Sequence, residues 1–130
     1  MGKNLLPAGI VCLEDAGAVC RRRWDLLALT AAGCRRLADC RLTARVLLLP
    51  GDCVPGRFQA DTVVTYGLSP RDSITLSSLA QPVLCVQRTL PLVWGGELEP
   101  QEFPMPAGET AERLLPWAAA RLLWTGSPYA

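Results

Sequence analysis

The sequence predicts an α/β fold: a small, mainly parallel sheet, followed by an antiparallel hairpin and a C-terminal helix. Three observations carry this. Short, almost wholly apolar runs recur at residues 9–14, 25–30, 46–49 and 61–67, the kind that a parallel sheet buries on both faces. An amphipathic segment, 31–42, stands between the second and third of them. Beyond residue 67 the pattern changes to hydroxyl-alternating and proline-punctuated strands around Gly95-Gly96, then an alanine-rich helical stretch.

Taken in order, "GIVCLE" reads as a buried strand and "DAGAVCRRRW" as a short helix capped by Asp15. "DLLALT" is the second strand. Thr30 then stands at an N-cap position before "AAGCRRLADCRL", where Ala31, Cys34, Leu37 and Ala38 share one face and Arg35, Arg36 and Asp39 the other. Val46 to Leu49 form a third strand, ended by Pro50-Gly51; "CVPGRFQA" reads as a loop and "DTVVTYG" as a fourth strand. In "SITLSSL", Ile74, Leu76 and Leu79 oppose Thr75 and Ser77, which predicts one buried and one wet face. "VLCVQRTL" and "ELEPQEFPM" flank the hairpin signal of Gly95-Gly96, and Pro100, Pro104 and Pro106 confine the returning strand to an edge. The last element has Thr110 as N-cap and Gly126 as C-cap; Pro116 either kinks it or moves its start to about Leu115. The succession is that of an open, Rossmann-like sheet in one domain of residues 1–130, with a parallel half (1–67) and a hairpin-and-helix half (68–130).

Composition narrows the chemistry. Half the 130 residues are apolar and 19% are charged, so the chain folds around a real core. Net charge is +1, split as +4 over residues 1–60 and −3 over 61–130. That excess, poor in interleaved aromatics, does not argue for nucleic acid, and the arginines at 21, 22, 23, 35 and 36 read as a solvated helix surface. The six cysteines, at 12, 20, 34, 40, 53 and 85, include no C-x-x-C pair, and the chain has no histidine. Zinc fingers, zinc hydrolases and imidazole-based catalysis thereby lose their usual groups. The apolar run at 5–17 is interrupted by Pro7 and meets Glu14 and Asp15 too soon for a secretion signal, and no run is long enough to span a membrane. The expectation is a cytoplasmic protein with reduced, mostly buried cysteines, no metal and no cofactor.

A parallel sheet gathers its working loops at the carboxyl ends of its strands. That rule brings Asp15, Asp52, Ser69, Arg71 and Asp72 together. In "YGLSPRDS", Gly67 permits positive φ, Ser-Pro favours a turn, and Ser69 and Asp72 can each bond nearby amides. Arg71 in such a turn could hold a phosphate or carboxylate, or be merely solvated; the residues leave both open. Asp52, Tyr66, Ser69, Arg71 and Asp72 are the candidate ligand residues. No phosphate loop of either usual kind is present, and the only lysine is Lys3. Cys53, in the loop-like "GDCVPG", is the cysteine best placed to act as a nucleophile, its thiolate needing help from Arg57 or a helix terminus. Glu97, Glu99 and Glu102 read as cross-strand partners for Arg88. Trp94 at the hairpin tip and Trp124, which shares a helical stripe with Trp117, are candidate interaction residues.

From Asp61 onward the order of elements, with "VVTYG", a hydroxyl-rich strand, a hairpin and "LLPWAAARLLWTG", resembles the second half of the central domain of Mur-type peptide ligases. Those enzymes add amino acids to the peptidoglycan precursor. Their ATP loop and magnesium-site histidine have no counterpart in this sequence, and Leu115-Pro116 stands where an asparagine pair is expected, so no catalytic residue carries over. The resemblance implies a degenerate enzyme or a sensor of a cell-wall precursor. The residues themselves favour a non-catalytic accessory or regulatory protein that binds a protein partner or a small anionic ligand, with homodimerisation as one form of partnership.

Overall fold

The computed structural model describes residues 8–11, 23–37, 39–53, 57–77, 81–105 and 111–129. Its main sheet has seven strands: β1 (Ala8–Val11), β2 (Arg23–Leu29), β3 (Arg41–Pro50), β4 (Arg57–Gly67), β5 (Ile74–Leu76), β6 (Val83–Val86) and β9 (Gln101–Pro104). β7 (Leu90–Pro91) and β8 (Glu97–Leu98) form a separate two-stranded hairpin. Neighbours follow one another in the chain from β1 to β6, parallel through β5 and antiparallel thereafter, with β9 at the far edge. The protein is thus α/β with a mixed sheet.

Helices α1 (Ala31–Arg36) and α2 (Ala111–Thr125) cover opposite faces. α1 closes a core of Leu27, Leu29, Cys34, Leu37, Leu42, Ala44, Leu47 and Leu49. α2 closes a larger one, in which Leu26, Leu48, Val64, Ile74 and Leu84 meet Leu115, Ala119, Leu122 and Leu123. Each fully buried leucine contributes about 1.5–3 kcal/mol. These two layers are why the central strands are apolar on both faces.

Local signals act where expected at both helices. Thr30 accepts the Gly33 amide at 3.0 Å through its hydroxyl, and its carbonyl accepts the Cys34 amide at 2.8 Å. Gly126, at φ +88°, ends α2 by donating to the Leu122 carbonyl at 2.8 Å. At the β7–β8 tip, Gly95 and Gly96 take φ of +113° and +84°. The hairpin then folds back on α2, where the Val93 amide donates to the Leu123 carbonyl at 3.0 Å.

Several expectations need correction. Arg23 and Trp24 are the first residues of β2, not the end of a helix; the rest of that expected helix lies outside the described residues. β3 begins at Arg41 and β4 at Arg57, so the segment 57–60 is strand, because long neighbouring strands pair from Arg41↔Arg57 to Pro50↔Tyr66. The expected wet face of this segment holds at Ser77, which is exposed, and fails within β5, where Thr75 is buried and its hydroxyl accepts from Gln87 Nε2 at 3.4 Å. α2 continues through Pro116 and does not restart there. Arg88 donates to the Arg71 carbonyl at 3.1 Å, while Glu99 accepts from the Thr89 hydroxyl at 3.2 Å; no described ion pair joins Arg88 to a glutamate.

The strands also change face in mid-course. Along β3, Leu42 and Ala44 belong to the α1-side core, Val46 and Leu48 to the α2-side core, and Leu47 and Leu49 to the α1 side again. Unbroken alternation cannot produce this, so Arg45 and Val46 share a face. The pairing steps from Trp24↔Ala44 to Leu26↔Val46, and from Ala44↔Ala60 to Val46↔Thr62. The effect is that of a bulge aligned across three strands. It presents Arg45 to the α2 side, where its Nε meets Asp25 Oδ1 at 3.0 Å, its guanidinium lies 5.8 Å from the Trp94 ring centroid, and it donates to the Val93 carbonyl.

Among the described residues, no helix is long and apolar enough to cross a membrane.

Candidate functional site at the carboxyl ends of β3 and β4

β3 ends at Pro50, which has no amide hydrogen, and the next amide, Gly51, closes the ladder by donating to the Tyr66 carbonyl at 2.9 Å. β4 runs one residue past Tyr66 to Gly67 before the turn 68–73 begins. The two strand ends stand side by side, and the turn folds back over them to start β5, paired as Tyr66↔Ile74.

Within the turn, the Asp72 amide donates to the Ser69 carbonyl at 3.0 Å. In return, the Ser69 amide donates to Asp72 Oδ2 at 3.2 Å. The Ser69 hydroxyl accepts the Arg71 amide at 3.1 Å. These are the local bonds that serine and aspartate form readily in turns. They drive Asp72 inward, leaving it 5% exposed, and send Arg71 outward. The carboxylate lies close to both Gly51 and Gly67, Oδ1 in the space that a side chain at Gly51 would claim and Oδ2 in that of a side chain at Gly67. Both glycines are therefore needed for close approach.

The result is a cavity of about 620 Å³ lined by Pro50, Gly51, Asp52, Tyr66, Gly67, Leu68, Ser69, Arg71, Asp72 and, from α2, Leu115. Asp52, Tyr66, Ser69, Arg71 and Asp72 all stand on its wall. Asp15 lies outside the described residues. The Tyr66 hydroxyl donates to the Leu29 carbonyl at 2.8 Å, which ties β4 to the end of β2. Asp52 and Arg71 are exposed at the rim. Asp72 Oδ1 accepts no hydrogen bond from any described residue, an unusual state for a carboxylate so deeply buried.

Sequence reasoning missed Leu115 as a wall of the cavity and the two glycines as close neighbours of Asp72. Gly51 and Gly67 carried a signal as turn glycines; Leu115 carried none, because α2 reaches the strand ends only through tertiary packing.

The cysteines also differ from expectation. Cys34 of α1 and Cys53, next to Asp52, are joined in a disulfide, so Cys53 is not a free nucleophile and the two are not reduced. Both pack on the α1-side core, which brings two residues 19 apart in sequence within bonding reach. Cys40 and Cys85 are free. Among the described residues, no group of three or more histidine, cysteine or acidic side chains could hold a metal.

Trp94 and Trp124 pack on each other edge to face, ring centroids 4.7 Å apart, with Trp94 about half exposed. Trp117 points to solvent while Trp124 packs on the core, so the two do not share one environment. Compared with protein-family models, characterised proteins and solved structures, the chain matches none.

Proposed function

We propose that this protein is a non-catalytic binding module whose strand-end cavity takes a small polar ligand bearing an anionic group. The observation that carries the reading is Asp72: a carboxylate 5% exposed, on the wall of a 620 Å³ cavity, with one oxygen to which no described residue donates. A buried carboxylate in that state calls for a hydroxyl or ammonium group from outside the described residues. Arg71 at the rim has a fork suited to a phosphate or carboxylate on the same molecule. Leu68 and Leu115 supply the apolar wall that such sites generally have.

A Rossmann-like character of the parallel half belongs to this proposal, since it is the carboxyl-end rule that gives the cavity its place. So does a cytoplasmic location. There, cellular reductants would hold Cys34 and Cys53 open, and oxidation would close them.

Thermal shift against nucleotides, nucleotide-sugars and amino-acid phosphates tests the reading. A true ligand at a hundred times its Kd adds about 2.7 kcal/mol of stability, and both Arg71→Ala and Asp72→Asn should lose most of it. A response confined to nucleotide-sugar precursors would favour a cell-wall sensor. If no compound shifts the protein, and a dimer in solution dissolves on Trp94→Ala, the cavity reading fails in favour of a protein-interaction module.

A further inference from the structure

The amino-terminal edge of the same sheet carries a second, distinct polar cavity. Its volume is about 330 Å³ and it is lined by Arg23, Thr43, Ala44, Arg45, Gln59 and Asp61. The strand register explains its composition. Arg23 lies beside Thr43, and Thr43 beside Gln59, in one row across β2, β3 and β4; one row further out, Arg41 lies directly beside Arg57. Residues 41, 43 and 45 alternate with Leu42 and Ala44, which are buried on the α1 side, so these rows share the opposite face. On that face α2 covers the rows of Val46 and Leu48, and the β7–β8 tip reaches Arg45. The described residues place nothing over the rows beyond.

Of the four arginines on this face, Arg23 and Arg45 line the cavity and Arg41 and Arg57 stand one row outside it; Arg45 is engaged with Asp25, Val93 and Trp94. Arg23, Arg41 and Arg57 are exposed and have no acidic partner or acceptor among the described residues. Like charges directly opposite on neighbouring strands repel, so the Arg41 and Arg57 pair is disfavoured until an anion lies between its forks. Thr43 and Gln59 add neutral hydrogen-bonding groups beside that pair, and Asp61 adds an acceptor suited to a hydroxyl.

We infer that this edge is a second ligand site, which binds the phosphate or pyrophosphate group of a small phosphorylated molecule between Arg23, Arg41 and Arg57. A compact ligand fits better than a nucleic-acid strand. The cavity is small, and Asp25 and Asp61 flank the arginines in the next row, where they would oppose a continuous line of phosphates. The site is independent of the strand-end cavity, which uses none of these residues.

Calorimetric titration of the full chain with pyrophosphate and with inorganic phosphate, against sodium chloride at matched ionic strength, tests the inference. Pyrophosphate should bind with a saturable isotherm. Arg41→Gln with Arg57→Gln should weaken it about tenfold or more, the loss of two charge-assisted forks, while Arg35→Gln, an exposed arginine on α1 that lines neither cavity, leaves it unchanged. The substituted side chains are exposed, and a far-ultraviolet spectrum and melting curve matching the parent show that the variant folds; Arg57→Gln alone serves if the double variant does not. Three results would overturn the site: no binding beyond the matched salt, binding retained in the variants, or a single-stranded oligonucleotide binding more tightly than pyrophosphate with a steep salt dependence, which would make this face a nucleic-acid surface.

Discussion

The carboxylate of Asp72 occupies the space in which a side chain on Gly51 would begin, so the end of β3 and the turn before β5 are fitted to each other at a single point. Gly51 lies outside the left-handed region, and what it supplies is room. Gly51→Ala should therefore cost about 1–3 kcal/mol, the range for an overpacked interior. With Asp72→Ala in the same chain the clash is relieved, and a double-mutant cycle by urea unfolding should show a coupling of about 1 kcal/mol or more. Additive losses would mean that the two residues are not in contact.

The link between Cys34 and Cys53 closes a loop across α1 and β3. A cross-link over a loop of this size stabilises by about 3 kcal/mol. Cys34→Ser with Cys53→Ser, or a reductant, should lower the unfolding free energy by that order. Thiol titration of the denatured, unreduced chain, with the labelled sites mapped by peptide, should find Cys40 and Cys85 reactive and Cys34 and Cys53 unreactive until reduction. Because Cys53 is next to Asp52 on the cavity rim, ligand affinity in the strand-end cavity should also fall on reduction, read by the same thermal-shift assay.

Trp94 joins three parts of the fold: its own hairpin, Trp124 of α2 at 4.7 Å between ring centroids, and Arg45 of β3 beneath its ring. An edge-to-face pair contributes about 0.5–1.5 kcal/mol and a surface cation–π contact about 0.5–1 kcal/mol. Trp94→Ala should thus cost about 1–2 kcal/mol and shift the fluorescence of Trp124 to longer wavelength as solvent reaches it. Trp94→Phe should recover part of the loss. An unchanged melting curve in the alanine variant would contradict the packing.

Much of this architecture can be read in the residues, and the reasons are local. Thr30 caps α1 because a hydroxyl at that spacing reaches the Gly33 amide. Gly95, Gly96 and Gly126 mark turns because only glycine takes their positive φ freely. The apolar runs of β2 and β3 announce strands covered on both faces, whereas β4 buries Val64 and leaves Val63 exposed. Asp52, Ser69, Arg71 and Asp72 could be grouped before any coordinates, since loops that follow parallel strands emerge at one edge.

What the residues alone determined, then, was the α/β class, the caps at Thr30 and Gly126, the Gly95-Gly96 turn, and the edge on which the strand-end loops meet; each follows from interactions between positions close in sequence. Only the tertiary structure decided the rest. It buried Asp72 between Gly51 and Gly67, brought Leu115 of α2 to the same cavity, joined Cys34 to Cys53, turned Arg45 to the α2 side, and set Arg41 beside Arg57. Each of these is a contact between segments far apart in the chain. Such contacts depend on strand register and on which face each helix covers, and periodicity within one segment carries no record of either.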